Sequence, residues 1–261
     1  MMVRTSLYES LRILLVFGIW MSVLGAVCYG VLRLLRCRTE HASLRSPGRG
    51  PRDAFCAYLI FLLCGTALFM LYRELREALP KEAFAHLQPW HLLFPGLLGV
   101  AAVVPALFFL RRRKESWASV AVTRANVWQS LIISAVIIVG VSPLDASWKS
   151  LSKLEPHNVI DFLYFVLIGC QEEFLFRGFI QTRLVAWRGA VQGWIVTSVA
   201  FAFAHMITAV LGQDMSITEG FVSCAVYLPV GLLYGFVVLR TGNLLSSIPV
   251  HVLMDFLNNV K

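Results

Sequence analysis

Charge is what this sequence has least of. Asp, Glu, Lys and Arg make up 15% of its 261 residues, against about 25% in soluble globular domains. With 58% apolar residues there is too little polar surface to cover a water-soluble fold. A separate soluble domain is excluded as well. The longest polar stretch is RCRTEHASLRSPGRGPRD (36–53), rich in Arg, Ser, Gly and Pro, which reads as a flexible loop meeting anionic headgroups. CxxC pairs are absent. Cys28, Cys37, Cys56, Cys64, Cys170 and Cys224 sit mostly in or beside apolar runs, where a thiol behaves as a small hydrophobe. This argues against a disulfide framework or a cysteine zinc cluster. No internal repeat is evident, and no small-residue cleavage site follows the first apolar run, which reads as a retained span.

What is present is a series of uncharged runs: Ile13–Leu32, Ala54–Tyr72, Ala83–Leu110, Ala125–Leu144, Phe162–Gln171, Gly189–Gln213, Gly220–Leu239 and Thr241–Met254. A helical span takes roughly 20 apolar residues. The expected fold is therefore all-α: a polytopic integral membrane protein of about eight transmembrane helices, in a bacterial inner membrane. The fifth and eighth runs are too short unless they continue through Glu172 and Glu173, and through Asp255.

The loop charges alternate. Arg33, Arg36 and Arg49, then Arg111–Lys114, then Arg183 and Arg188, then Arg240 mark loops one, three, five and seven as cytoplasmic. The other loops are balanced or acidic, as in Lys149 and Lys153 against Asp145, Glu155 and Asp161. The net charge of +8 thus reflects membrane topology, not a nucleic-acid partner.

Ionisable residues inside the spans concentrate in the C-terminal half: Glu172, Glu173, His205, His251 and Asp255. Charges there cost at least ~2.5 kcal/mol each on insertion scales, so five together point to one polar site. The division expected is a scaffold of about four helices over 1–156 and a catalytic core of about four over 157–261.

Spacing defines the site further. Glu173 and Arg177 are i,i+4 and can pair on one helix face. Glu172 is rotated by about 100° from Glu173. Phe201 and His205 in FAFAH, and His251 and Asp255 in HVLMD, repeat the i,i+4 spacing. A carboxylate in an apolar pocket suits a general base acting on water. Histidine suits water orientation or proton donation, and His251 with position 255 suits an oxyanion site. Serine catalysis fits less well, because Ser198 and Ser223 have no GxSxG context. Two histidines and a glutamate also compose a zinc set, although HExxH is absent.

Each feature has an ordinary structural explanation when taken alone. The glutamates would mark a span end with Arg177 snorkelling. His205 would be a packed histidine bonding a backbone carbonyl, and His251 would bond a neighbouring helix. Their joint occurrence on three helices favours a site.

EEFLFR (172–177), FAFAH (201–205) and HVLMD (251–255), in that order on successive spans, resemble the EExxxR, FxxxH and HxxxN/D motifs of the CPBP family. This family comprises CAAX-protease and bacteriocin-processing intramembrane proteases. The likeness covers roughly 158–260. It implies an intramembrane endopeptidase in which Glu172 activates water together with His205, Glu173 and Arg177 support it, and His251 with position 255 forms the oxyanion hole. It implies no metal cofactor. The expected partners are a membrane-associated protein or peptide substrate and the bilayer itself. The related Ras-converting CAAX endopeptidase has Asn where this chain has Asp255. An ionised aspartate cannot donate to an oxyanion, which leaves Asp255 either protonated or orienting His251. The alternatives from another class are a transporter or chaperone-like membrane protein retaining the polar core, or a zinc-dependent variant of the protease.

The loop charges also set an expectation for access. Glu172, Glu173 and Arg177 should lie at the cytoplasmic end of span five, His251 half-way across and His205 deeper still. A water-filled cavity entering from the cytoplasmic face would then join them.

Overall fold

The structure is a computed structural model and describes residues 7–37, 44, 47–80, 88–142, 154–156 and 158–259. Residues 38–43 and 45–46 of the long first loop, Ala83 to Leu87 of the third run, and both Lys149 and Lys153 lie outside the described residues; Pro47 to Asp53, expected in that loop, are helical. No strand occurs among those described. The helices are α1 (Leu7–Leu34), α2 (Gly50–Ala78), α3 (Leu93–Arg113), α4 (Val127–Val141) and α5 (Asn158–Glu173). They are followed by α6 (Thr182–Arg188), α7 (Ala190–Ile207), α8 (Ile217–Thr241) and α9 (Ile248–Asn259). Five helical stretches are long and apolar enough to cross a membrane: Leu14–Leu34, Gly50–Ala78, Pro89–Arg113, Ala190–Leu211 and Ile217–Thr241. The chain is thus an all-α, multi-pass integral membrane protein, while α4, α5 and α9 are shorter than a full span.

Two boundaries differ from the expectation. The stretch carrying Arg177 and Arg183 is not a loop. The chain stays helical past Glu173 as a π-helix (Phe174–Gln181) and then as α6, and turns only at Gly189, where φ is +84°. These charges do not end the helix because each is neutralised within the protein. Arg177 pairs with Glu173, and Arg183 pairs with Glu115 at the start of the loop after α3. The eighth run is not helical from its start. The chain turns at Gly242, with φ of +66°, and α9 begins only at Ile248.

Local signals fix other ends. Ser216 caps α8: its Oγ accepts from the Glu219 N–H at 3.2 Å, and Glu219 Oε2 accepts from the Ser216 N–H at 2.9 Å. Together they satisfy two backbone donors at a helix start.

The main helix neighbours are α7 with α8, α2 with α3, α5 with α9, and α1 with α8. Ala54, Phe61, Leu98 and Leu110 of α2 and α3 share one core with Leu175, Phe176, Phe179 and Phe201. A second core joins α1, α4, α8 and α9 through Leu24, Ile133, Ile137, Val237 and Val250. In lipid, apolar burial gives little drive for helix association, so close packing and interhelical hydrogen bonds carry more of it. Tyr58 donates to the Ala200 carbonyl at 2.9 Å, Gln181 to that of Gly235 at 2.9 Å, and Trp194 to that of Leu232 at 2.8 Å.

One glycine sets the spacing that matters for function. A Cβ on Gly169 would lie 2.7 Å from Val252 Cγ2 and 3.3 Å from the Val252 nitrogen. α9 therefore approaches α5 at a distance only glycine permits, one turn before Glu172 and next to His251. We expect Gly169→Leu to force the two helices apart, lowering folded yield and detergent melting temperature by more than Gly30→Leu, where a Cβ meets nothing within 4 Å. Size-exclusion chromatography and thermal unfolding check this.

Candidate active site

Three segments bring the ionisable residues together. At the α5–π junction, Glu173 and Arg177 lie fully inside the protein, 0% and 1% exposed. Arg177 Nη1 donates to Glu173 Oε1 at 2.8 Å. The guanidinium also stacks over the Phe201 ring, 3.9 Å from its centroid. From α9, His251 Nδ1 lies 2.8 Å from the same Glu173 oxygen. A carboxylate paired with arginine accepts, which assigns the Nδ1 proton to His251 and makes it the donor. From the turn before α9, Ser247 Oγ donates to Glu173 Oε2 at 2.6 Å. Glu173 is thus held at both oxygens by three side chains.

Glu172 points elsewhere, as its rotation on the helix requires. Its Oε2 makes no protein hydrogen bond and stands 3.9 Å from His205 Nε2 and 3.8 Å from His251 Nε2. His205 Nδ1 donates to the Phe201 carbonyl at 2.9 Å, leaving Nε2 as its acceptor. Its ring stacks on Tyr227, with centroids 3.7 Å apart. Asp255 Oδ2 lies 3.4 Å from His251 Nε2, and its side chain is 35% exposed. Phe201 touches the rings of Phe176, His205 and His251. Glu172, Glu173, Arg177, Phe201, His205, His251 and Asp255 all fall in this one cluster. The hydrogen bond assigned to a packed histidine is indeed made by His205 Nδ1, but Nε2 remains directed at Glu172.

The cluster borders a cavity of about 280 Å³, lined by Glu172, His205 and Asp255 together with Tyr227 and a wall of aromatic rings from α2, α3 and α5. Among the described residues, no group of three His, Cys, Asp or Glu side chains is placed to hold a metal ion.

The direction of this cavity corrects the expected access. Its exposed lining residues are Gln213 after α7 and Asn259 at the end of α9, with Phe69 and Phe94 beside them. These stand at the helix ends opposite to those carrying Arg111, Arg188 and Arg240. On the basic side the bundle is closed. Residues Leu175 to Gln181 are all buried, and a Cβ on Gly178 would come within 2.8 Å of the Val120 carbonyl oxygen. The depth of His205 follows. It lies seven residues from the end of the π-turn at Gly212, about 10 Å, and fifteen from Ala190, about 22 Å.

Ser247 and Tyr227 were not singled out from the sequence. Ser247 lies four residues before His251 and so had the right helical spacing. A lone serine in an apolar run carries no more specific signal.

Arg177→Ala would leave Glu173 buried without its cation. Removing one partner of a buried pair costs about 3–5 kcal/mol. A detergent melting series should show a large loss for Arg177→Ala, and a smaller one for Arg177→Met combined with Glu173→Gln.

Against known families, residues 156–257 match the model of the Rce1-like family, described as type II CAAX prenyl endopeptidase Rce1-like. No curated protein and no solved structure matches the chain.

Proposed function

We propose that this chain, Rce1-like over residues 156–257, is an intramembrane endopeptidase that cleaves a membrane-associated polypeptide with a glutamate-activated water. The observation that supports it is the convergence of His205 and His251 from two other helices on Glu172, which lines the cavity with His205, with 3.8–3.9 Å between Glu172 Oε2 and each imidazole Nε2. Polar groups at that spacing suit a bridging water.

In this reading Glu172 takes a proton from the water as its oxygen attacks the substrate carbonyl carbon. His205 Nε2 accepts from the same water and aims it. The carbonyl oxygen becomes an oxyanion, and His251 with a proton on Nε2 donates to it. As the C–N bond breaks, Glu172 returns its proton to the leaving nitrogen. Glu173, Arg177 and Ser247 are positioning residues: they hold the Nδ1 side of His251 so that Nε2 faces Glu172 and Asp255 at the cavity's edge. Asp255 steadies His251 from the cavity side, the second of the two roles open to it. No step uses a metal, so treatment with a chelator should leave activity intact and purified active protein should carry no stoichiometric zinc.

Glu172→Gln should abolish cleavage with normal expression. Retained wild-type turnover would remove Glu172 from this role; no cleavage by the wild-type protein either would favour the non-catalytic alternative. Ser247→Ala removes a hydrogen bond that helps Glu173 hold His251, and a bond of about 1.5 kcal/mol felt in part by the transition state lowers kcat by up to about tenfold, with KM little changed. Steady-state kinetics on an anchored peptide reporter separate the two constants.

A further inference from the structure

We infer that the site opens to the non-cytoplasmic face of the membrane, so that its substrate is an exported, membrane-anchored polypeptide cut just inside the outer interface. The substrate class rests on the endopeptidase reading; the orientation does not.

Two independent observations meet here. The first is the charge on the helix ends. Arg33 of α1, Arg49 before α2, Arg111–Lys114 at the end of α3, Arg183 and Arg188 of α6, and Arg240 of α8 lie at one end of the bundle. Contacts confirm that these segments share that end. Arg183 bonds the Ser119 carbonyl, Asn126 bonds that of Thr241, and Asn243 bonds those of Thr123 and Ala125. The other end is balanced to acidic: Arg73 pairs with Asp214 at 3.4 Å, and Arg12 and Arg76 are offset by Glu74, Glu77 and Glu219. Lysine and arginine near span ends are retained on the cytoplasmic side, so the first end is cytoplasmic.

The second observation is the cavity itself. It is packed shut toward the basic end and reaches Gln213 and Asn259 at the other. By helical rise, His205 lies about 10 Å from that end and about 22 Å from the basic one. A peptide coming from the cytoplasm would have to displace the buried layer from Leu175 to Gln181, including the Glu173–Arg177 pair. One coming from the opposite face meets, among the described residues, a rim of uncharged polar and aromatic side chains, Gln213, Asn259, Phe69 and Phe94. Among the described residues the lining holds Glu172 and Asp255 and no lysine or arginine, which favours a neutral or basic segment over a free terminal carboxylate.

The test has two arms. In a background with the six native cysteines replaced, Gln213→Cys, Asn259→Cys and Ala190→Cys are treated with a membrane-impermeant thiol reagent. Positions 213 and 259 should react in intact cells, and position 190 only in inverted vesicles. The reverse pattern would overturn the proposal. The labelling is repeated with Glu172→Gln, because it does not depend on catalysis. In the second arm, two single-span reporters carry the same neutral-flanked cleavable segment just inside the outer or the inner interface. Cleavage of the outer reporter alone supports the proposal, and cleavage of the inner reporter alone overturns it. Loss of cleavage in both, with the labelling as expected, would overturn the endopeptidase reading and leave the orientation standing.

Discussion

A carboxylate with no exposed surface sits at the centre of this bundle, and the arrangement around it follows from the need to satisfy it. A buried charge in an apolar interior is tolerated only when paired and hydrogen-bonded. Glu173 meets both conditions through Arg177 on its own helix, His251 on α9 and Ser247 in the turn before α9. That demand ties α9 to α5. Gly169 removes the side chain that would keep them apart. Arg177 in turn rests on Phe201, which fixes α7 and the histidine four residues on.

The same satisfaction leaves Glu172 free for other work. The two glutamates are neighbours in sequence but face different surroundings, one closed and saturated, the other open to the cavity. The π-helix that follows lets the chain pass Arg177 and Arg183 without ending the helix, and its buried side chains seal the basic end. A single segment therefore holds the polar cluster and closes one end of the bundle to it.

The N-terminal helices do more than stand around the site. Phe61 and Phe69 of α2 and Phe94 and Leu98 of α3 form the wall facing Glu172 and Asp255, giving a polar site one apolar side. Such a wall excludes water from part of the cavity and strengthens the electrostatics within it.

Composition by itself determined that the chain lives in a bilayer, since apolar runs with charges between them have no other stable home. The i,i+4 spacings determined which residues share a helix face, because helical geometry is local. The sequence could not show where the fifth helix ends. A charge stops a span only if it lacks a partner. Glu173 and Arg177 pair four residues apart, but the remaining partners, Ser247 and His251 for Glu173 and Glu115 for Arg183, are all 68 or more residues away. Ser247 was invisible for the same reason: its hydrogen bond spans 74 residues. Nor could loop charges show which way the cavity faces. They orient the bundle, but whether a polar cluster meets water at one end or the other depends on which side the packed side chains fill, and only the tertiary structure decided that.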